Sequence, residues 1–393
     1  MDFTYSPAEE AFRQELRDWL AKNLADHRKT HPPSDDELSL HPDKSFDASL
    51  VWHRRMHGGN WIAIHWPREY GGRGAGLVER MIWSEELVAA GAPPGVNTVG
   101  LTIAAPAIMH HGTPEQKTRW LPPMLPADEI WCQGFSEPGA GSDLAALSTR
   151  ATLDGDHFVV SGQKVWTSNA HRSDYCILLV RSDPAAPKHK GISCLLVDMR
   201  SPGITLRPLV QVTGDAEFNE VFFDQVRVPR ENLLGRHHGG WDVAVTVLMY
   251  ERMALGSLVV LHHFIDRVLE LARTQAGAAA DPRIRQRLAD LYIAGRVLRL
   301  TGLRYLTRQL RGEAPGAEGS VLKLGLTDSY RQMAEIAAQI VGPYSTLWKG
   351  SNWAPDDGRW AFQSLFALRF GIAGGTTEIQ KGIIGERILG LPK

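Results

Sequence analysis

The hydrophobic period of this chain changes twice along its 393 residues, and this limits the possible fold more than any other feature. Up to about residue 125 the apolar residues recur at helical spacing. Between about 131 and 234, short runs of β-branched and aromatic residues alternate with Gly, Asp, Ser and Pro turn signals. From Trp241 onward helical spacing returns. The chain is therefore predicted to fold as helices, then strands, then helices.

The same patterns predict individual elements. A helix is expected to begin after Ser6, because Pro7 and two acidic residues follow this capping serine. The polar, proline-containing stretch 31–47 indicates a loop. Further helices are predicted at 77–90, 241–272, 283–311, 320–342 and from 377, and strands at 157–160, 175–180, 192–197 and 220–223. The strands are typical of a compact antiparallel barrel or sandwich, and the domains are expected at 1–128, 129–236 and 237–393.

Composition excludes several classes of protein. The chain has 43 Lys and Arg against 44 Asp and Glu, whereas nucleic-acid-binding proteins usually carry a basic excess. No run approaches the roughly 18 apolar residues that cross a bilayer, and the acidic N-terminus lacks the pattern of a signal peptide. Three cysteines without a C-x-x-C pair favour a reducing compartment. We therefore expect a cytoplasmic protein that binds no nucleic acid and has no membrane span. We also expect no metal site, since the adjacent histidine pairs suit chelation poorly.

Two motifs in the strand-rich region are typical of a cofactor site. In residues 131–143, glycines allow the backbone to approach a ligand, while Ser136 and Ser142 offer hydroxyl groups. In residues 164–169, Trp166 stands beside hydroxyl residues and could stack on an aromatic ring. Each motif also has a structural interpretation, a glycine-rich turn for the first and a core tryptophan for the second.

Together with residues 373–381, these motifs resemble those of the acyl-CoA dehydrogenase family, in the same order and at the same spacing. The resemblance covers nearly the whole chain, including residues 65–72. It implies a mainly α fold with a central β-barrel: an N-terminal helical domain, the barrel and a C-terminal four-helix bundle. It also implies FAD-dependent desaturation of an acyl-CoA thioester between its α and β carbons.

The resemblance assigns roles around the FAD. Phe135 and Ser136 would contact the flavin ring, and Trp166 would pack against it. Ser168 would place a hydroxyl near flavin N5, which receives hydride, and Ser142 would lie on the path of the CoA chain beside the cofactor. Thr376 and Glu378 match the positions that hold the ribityl-to-adenosine part of FAD. Gln339 and Gly342 match the loop that touches a neighbouring subunit's FAD.

The catalytic base departs from the commonest pattern of this family. Most members carry a glutamate immediately before the terminal Gly-Thr, where this chain has Gly374. The long-chain and isovaleryl types carry it on a bundle helix before an arginine, and this chain has Glu251 and Arg252 there. The resemblance therefore implies that Glu251 removes the α-proton and that Arg252 orients the site. Gly374 would still offer its backbone N–H to the thioester oxygen.

The residues around Glu251 support this assignment independently. Its helical neighbours three and four positions away are all apolar; they are Val247, Leu248, Ala254 and Leu255. A carboxylate on such a stripe either has a function or forms a buried ion pair with an arginine. Desolvation would raise its pKa and make it a stronger base. Leu248, on the same stripe, is expected to contact the substrate.

A second departure concerns assembly. Most family members carry an Arg-x-x-Phe-Gly loop that reaches a partner subunit's FAD, but the corresponding stretch 275–283 is shorter and lacks the arginine and phenylalanine. Shortened loops resemble those of bacterial members that form heterotetramers with fewer FAD sites than subunits. The expected partners are an acyl-CoA, an electron-transfer flavoprotein or similar acceptor, and either further copies in a dimer or tetramer or a related subunit.

Two other functions stay open. A non-catalytic subunit that completes a relative's FAD site is indicated by Gly374 and the shortened loop, although Glu251 argues against it. A flavin enzyme with different chemistry, such as nitroalkane oxidation or oxygenation, would carry an aspartate or no base instead of Glu251. The acyl group is not specified, because the absence of a side chain at Gly374 permits branched, long or bulky chains.

Overall fold

The computed structural model of this chain describes residues 4–32, 42–252, 256–275, 277–313 and 316–392, without the side chains of residues 42–45 and 251–257. The chain forms two compact units. The first comprises residues 1–21, 77–92 and 252–393, and the second comprises residues 22–76 and 93–251.

Helices make up most of the described structure outside the middle of the chain. Their bounds are α1 (Pro7–Thr30), α2 (Pro42–Gly58), α3 (Leu77–Ala90), α4 (Ala105–His111), α5 (Pro114–Met124), α6 (Gly240–Arg252), α7 (Gly256–Thr274), α8 (Pro282–Leu310), α9 (Glu318–Val341), α10 (Arg359–Phe366) and α11 (Thr377–Arg387). One π-helical turn, Gly100–Ala104, precedes α4. Among the described residues, no helix is long and apolar enough to span a membrane.

Most predicted helices are confirmed, and two predictions need correction. Helix α1 begins where expected, with the backbone N–H of Ser6 donating to the Glu9 carboxylate at 2.7 Å. The predicted loop 31–47 is wrong from Pro42 onward, because this proline occupies the first turn of α2; residues 33–41 lie outside the described structure. The predicted helix 241–272 corresponds to two elements, α6 and α7, and residues 253–255 between them are not described.

The second unit contains one mixed sheet. Its strands are β1 (Trp131–Gly134), β2 (Arg150–Asp154), β3 (His157–Ser168), β4 (Tyr175–Arg181), β5 (Ile192–Asp198), β6 (Ile204–Leu209), β7 (Phe218–Pro229) and β8 (Leu233–Leu234). The order across the sheet is β6-β7-β3-β2-β4-β5-β8, and β1 pairs with β4 away from this path. The four predicted strands are confirmed as β3, β4, β5 and β7, whereas β1, β2, β6 and β8 were not foreseen.

The predicted closed, antiparallel barrel is wrong. Within the described residues the sheet is open, because β6 at one edge and β8 at the other have no further strand partner. Pro208 in β6 has no N–H to donate and is typical of an edge strand, and β8 is only two residues long. The pairing is also not purely antiparallel, since both β1 and β2 run parallel to β4.

The core of the sheet explains why β4 and β5 read as continuous apolar runs. Residues 176–180 and 192–197 are fully buried, as expected of strands that are covered on both faces. All three cysteines lie in this core as free thiols; they are Cys132, Cys176 and Cys194. Strands β1 and β3 extend from this rigid core, and the two cofactor motifs predicted from the sequence stand at their carboxyl ends.

In the first unit, α9 packs against α7, α8 and α11. Its buried residues recur at helical spacing and include Leu322, Tyr330, Met333, Ala337 and Ile340. Phe370, which follows α10, stacks on Tyr330 with a ring separation of 4.1 Å. This packing fixes the start of the loop that leads to α11, where the third sequence motif lies.

Candidate active site

The first motif forms a tight turn directly after β1. Phe135 is buried and Ser136 is half-buried, and Glu137 pairs with Ala140 through two backbone hydrogen bonds of 3.0 Å. Gly134 is required at the start of the turn, because a Cβ there would lie 2.7 Å from Leu178 Cδ1. Within the described residues the hydroxyl of Ser136 makes no hydrogen bond, so it is available to a ligand.

A buried ion pair holds this turn against β3. Lys164 is fully buried and its Nζ donates to the Phe135 carbonyl at 3.0 Å and to Glu137 Oε1 at 2.8 Å. The Glu137 carboxylate also accepts hydrogen bonds from the backbone N–H groups of Ser148 and Thr149 at 2.7 and 2.8 Å. The two motifs are thus joined by a charged group inside the unit, which only a fully hydrogen-bonded arrangement permits.

The pKa values of the ion pair follow from this environment. Burial alone would raise the pKa of Glu137, but the charge and hydrogen bond of Lys164 and the donors at Thr149 and Ser148 lower it to about 2. Burial lowers the pKa of Lys164, and the charge of Glu137 opposes this effect. The Glu137 carboxylate is therefore ionised near neutral pH, and the turn is fixed by its short contact with the Lys164 ammonium nitrogen.

The second motif contains a strained tryptophan. Trp166 has a φ of 60°, in the left-handed region that bulky residues rarely adopt, and it lies at a register shift between β3 and β7. Its side chain is 59% exposed and meets Phe218 edge-on at 5.8 Å between ring centroids. Val165, just before it, donates its N–H to the Ser136 carbonyl at 2.9 Å. The structure therefore brings Trp166 next to the first motif and presents its indole outward.

Polar atoms without partners surround this tryptophan. Thr167 is buried and its hydroxyl oxygen has no hydrogen-bond partner among the described residues, and the same holds for the buried Oδ1 of Asn169. The half-buried Ser168 likewise has a free hydroxyl within the described structure. Unpaired polar groups are costly in a folded protein, and strained backbone is concentrated at functional sites. The carboxyl end of β3 therefore has the character of a ligand site.

Ser142 lies further along the same loop and is exposed. Its neighbour Asp143 forms an ion pair with Lys188, which ties this part of the loop to the connection between β4 and β5. Its hydroxyl makes no hydrogen bond to the described residues. The predicted role of Ser142 beside both cofactor and substrate stays a prediction.

In the first unit, the third motif forms a glycine-rich loop before α11. Gly374 and Gly375 have φ values of 66° and 91°, which explains the two glycines. Thr376 caps α11, with its hydroxyl accepting from the N–H of Ile379 at 3.3 Å. Gly374 is exposed, and its N–H donates to no group in the described part of the chain. This free N–H agrees with the predicted contact to a thioester oxygen.

Glu378 and the end of α9 were predicted to hold FAD. The exposed carboxylate of Glu378 has a lowered pKa, first because of the backbone N–H at the helix start and then because of the Thr376 hydroxyl. Gln339 is exposed in the last turn of α9, and Gly342 ends this helix with φ 64° and ψ −134°. These FAD contacts stay predictions.

The predicted base and its neighbour lie at the limit of the described structure. Glu251 and Arg252 are the last residues of α6, but their side chains, and residues 253–255, lie outside the described residues. Upstream on the same helix, Val247 is buried and Leu248 is half-buried, as the apolar stripe predicts. The roles of Glu251, Arg252 and Leu248 therefore stay predictions.

Two functional candidates were not assigned from the sequence. The first candidate is the ion pair of Glu137 and Lys164, which lie in the first and the second motif. A lysine at an inward-facing position of a strand was the sequence signal that could have indicated this pair. Gln380, in α11, is buried and contacts the glycine loop. A polar residue four positions beyond the cap, on the inner face of a helix, was the corresponding signal.

Family models match three successive parts of the chain: the N-terminal domain of acyl-CoA dehydrogenases over residues 6–128, the middle domain over 132–226 and the C-terminal domain over 238–389. The chain belongs to the acyl-CoA dehydrogenase family, a family of flavoprotein oxidoreductases of lipid metabolism, and is of the bacterial type.

The chain is similar to several bacterial members of this family. The chain is 40% identical to acyl-CoA dehydrogenase IpdE1 of Mycobacterium tuberculosis over 390 residues, covering 98% of each chain. It is 37% identical to IpdE1 of Mycolicibacterium smegmatis, covering 97% of each. Among solved structures, the ChsE4–ChsE5 complex of Mycobacterium tuberculosis matches with a TM-score of 0.85 and 34% identity, and the Tcur3481–Tcur3483 steroid ACAD matches with 0.86 and 29%, each covering 100% of both chains.

Proposed function

We propose that this acyl-CoA dehydrogenase uses FAD to desaturate a bulky acyl-CoA thioester between its α and β carbons, with Glu251 as the base. The observation that carries the proposal is the strained, outward-facing Trp166 beside the turn at Phe135 and Ser136. Family membership supports the reaction class, and this arrangement supports the cofactor.

The residues present fit a flavin. An exposed indole offers an apolar face for a flat ring, and the free hydroxyls of Ser136 and Ser168 offer partners for its polar edge. The buried, unpaired hydroxyl of Thr167 next to Trp166 is a further polar group that a bound ligand can satisfy. FAD, when bound, supplies the hydride acceptor.

The protein's own contribution is proton removal and stabilisation of negative charge. Glu251 would take the α-proton, and a neighbouring apolar stripe at Val247 and Leu248 would keep water away and its pKa raised. The free N–H of Gly374 would donate to the thioester oxygen, where charge develops as the proton leaves. A donor of this kind contributes roughly 3 kcal/mol to the transition state.

A bulky acyl group is supported by two observations. Gly374 is exposed and has no side chain, whereas most family members carry the base there, so this position adds no bulk near the thioester. The similar Tcur3481–Tcur3483 protein is a steroid ACAD. We therefore propose that branched or polycyclic acyl groups are accepted, and that electrons pass to an electron-transfer flavoprotein.

Assembly with a related subunit is the second candidate property. The ChsE4–ChsE5 and Tcur3481–Tcur3483 structures each name two proteins. In its described residues, the connection between α7 and α8 contains a short 3-10 turn, Ala278–Ala280, where other members have the longer loop. These observations favour a heteromeric enzyme over a homo-oligomer, with this chain supplying the base.

The test begins with flavin content. The chain is purified alone and after co-expression with a related subunit, and FAD is measured in both samples. Butanoyl-CoA, isobutanoyl-CoA, palmitoyl-CoA and the CoA thioester of a C24 steroid acid are then added without oxygen. Bleaching of the flavin with one of these thioesters supports the proposed reaction. A flavin-loaded protein that none of them reduces, or one reduced only by a nitroalkane, contradicts it.

A further inference from the structure

Gln380 is placed to control the direction of the Gly374 N–H. It lies in the first turns of α11 and is only 1% exposed. Its Nε2 donates to the carbonyl oxygens of Gly374 and Gly375, at 2.9 and 3.4 Å. One side-chain amide therefore holds two consecutive peptide groups of the loop.

The loop needs such an external constraint. Gly374 and Gly375 both have positive φ, and glycine moves between backbone regions more freely than any other residue. Two adjacent glycines cannot fix the direction of a peptide N–H by their own steric limits. Gln380 also packs tightly against this backbone, since a Cβ at Gly375 would lie 2.6 Å from its Nε2.

The remaining contacts fix the two ends of the loop. At the start, the Phe370 carbonyl accepts hydrogen bonds from Lys323 Nζ at 2.7 Å and from the Thr327 hydroxyl at 2.8 Å. At the end, the backbone N–H of Gln380 donates to Thr376 at 2.9 Å. Between these anchors the described structure gives the two glycines no side-chain hydrogen bond except those from Gln380.

We propose that Gln380 is a positioning residue for the free Gly374 N–H, which it directs toward the thioester oxygen. Its hydrogen bonds to the Gly374 and Gly375 carbonyl oxygens hold the two peptide groups that follow Gly374, and this limits the directions in which the N–H of the preceding peptide group can point. This inference rests on the proposed function, because it assigns a role within the same reaction. Gln380 touches neither substrate nor cofactor in this account. Its Oε1 is buried and accepts from no group in the described chain, so replacement removes only the two bonds to the loop.

Two substitutions of similar size test the role. Gln380→Met keeps the volume and removes both donors, and Gln380→Glu keeps the shape but turns a carboxylate toward two carbonyl oxygens. Gln363→Met is the matched control, because Gln363 is also buried in the first unit, in α10, and forms no hydrogen bond to the loop. As a second control, each variant should contain as much FAD as the wild type, which verifies that the variant folds.

The expected result is a fall in kcat of about 10- to 100-fold for Gln380→Met, since a misplacement of about 1 Å costs about 100-fold. KM should change less than about threefold, because binding of the CoA portion is unaffected. Gln380→Glu should be at least as slow, and Gln363→Met should match the wild type. Equal kcat in Gln380→Met and the wild type would overturn the inference.

An infrared measurement separates this inference from the proposed function. The probe is 2-octenoyl-CoA labelled with ¹³C at the thioester carbonyl, bound to the holoenzyme without turnover. The wild type should lower the carbonyl frequency, and Gln380→Met should return it toward the value in water. If wild type neither shifts the band nor bleaches with a thioester, the proposed function fails together with this inference. If wild type does both and Gln380→Met shifts the band equally, only this inference fails.

Discussion

Replacing Lys164 by methionine should destabilise the protein strongly, and by an amount that depends on pH. Lys164 is fully buried and donates both to Glu137 and to the Phe135 carbonyl. Methionine fills a similar volume but leaves the Glu137 carboxylate buried without its counter-charge. Removal of one partner from a buried ion pair costs about 3–5 kcal/mol.

The pKa of Glu137 gives an independent magnitude. It falls from an ordinary 4.5 to about 2, a difference of about 2.5 units, and this corresponds to about 3 kcal/mol. The lowered pKa of Lys164 offsets part of this stabilisation in the intact pair. Loss of Lys164 alone leaves the full cost of the buried carboxylate, so a destabilisation of about 3 kcal/mol or more is expected at neutral pH.

The pH dependence has a definite sign. In the wild type the depressed pKa of Glu137 contributes stability that is present above about pH 4.5 and is lost as the pH falls toward 2. In Lys164→Met, burial would instead raise the pKa of Glu137, so the variant loses stability as the pH rises above 4.5. The gap between the two proteins should therefore be smallest near pH 2, widen as the pH rises, and reach its full size near neutrality.

The assay is equilibrium urea unfolding at pH 4 and pH 7.5, at one protein concentration because subunit assembly also contributes to apparent stability. The double variant Lys164→Met with Glu137→Gln is the control. Glutamine does not ionise, so this variant should not show the loss of stability above pH 4.5 that Lys164→Met shows. A deficit for Lys164→Met below about 1 kcal/mol at pH 7.5, or one that grows on acidification, refutes the reasoning.

Three further predictions concern the strain, the burial and the packing of the second unit. Trp166→Gly should raise the free energy of unfolding by about 1 kcal/mol, because glycine tolerates the positive φ, and it should lower the FAD content. Trp166→Phe should retain FAD. A Trp166→Gly protein with undiminished FAD content would contradict the cofactor role. His53 is fully buried and burial lowers its pKa to about 4, so the stability of the wild type should fall as the pH drops from about 6.5 to 4. In His53→Phe, urea unfolding should show a dependence of stability on pH that is smaller by about 3 kcal/mol over this range. Gly134→Ala should lower the melting temperature through an overpacking cost of about 1–3 kcal/mol, because the added Cβ meets Leu178. Gly139→Ala is the control and should be neutral, because an added Cβ there has open space. Equal melting temperatures for the two variants would contradict the packing argument.

Local signals in the sequence predicted local structure well. The apolar period placed α3 at Leu77–Ala90, and the serine–proline start placed α1 at Pro7. The continuous apolar runs placed β4 and β5, because both strands are buried on both faces and need no alternation of apolar and polar residues. These elements depend on neighbours within a few residues, and such information is present in any short stretch of sequence.

The sheet topology and the inner contacts of the site depended on distant residues. The parallel pairing of β1 with β4 joins residues more than 40 positions apart, and no local pattern specifies it. A charged Lys164 inside the core contradicts the usual alternation of strands, and Glu137, its partner, lies in a turn. Gln380 could be recognised only once the direction of α11 against the glycine loop was known. Sequence motifs therefore indicated the candidate site, and the structure identified the contacts that hold these motifs in place.

The central claim is that Glu251 removes the α-proton, and its most direct test is a single-turnover measurement. The flavin-loaded enzyme, with a related subunit if FAD binding requires one, is mixed anaerobically with the thioester that reduces it fastest, and the bleaching rate is recorded. Glu251→Gln should slow bleaching by about 100- to 10,000-fold, whereas Glu270→Gln, an exposed glutamate on α7, should leave the rate unchanged. Bleaching by Glu251→Gln at the wild-type rate would contradict the account.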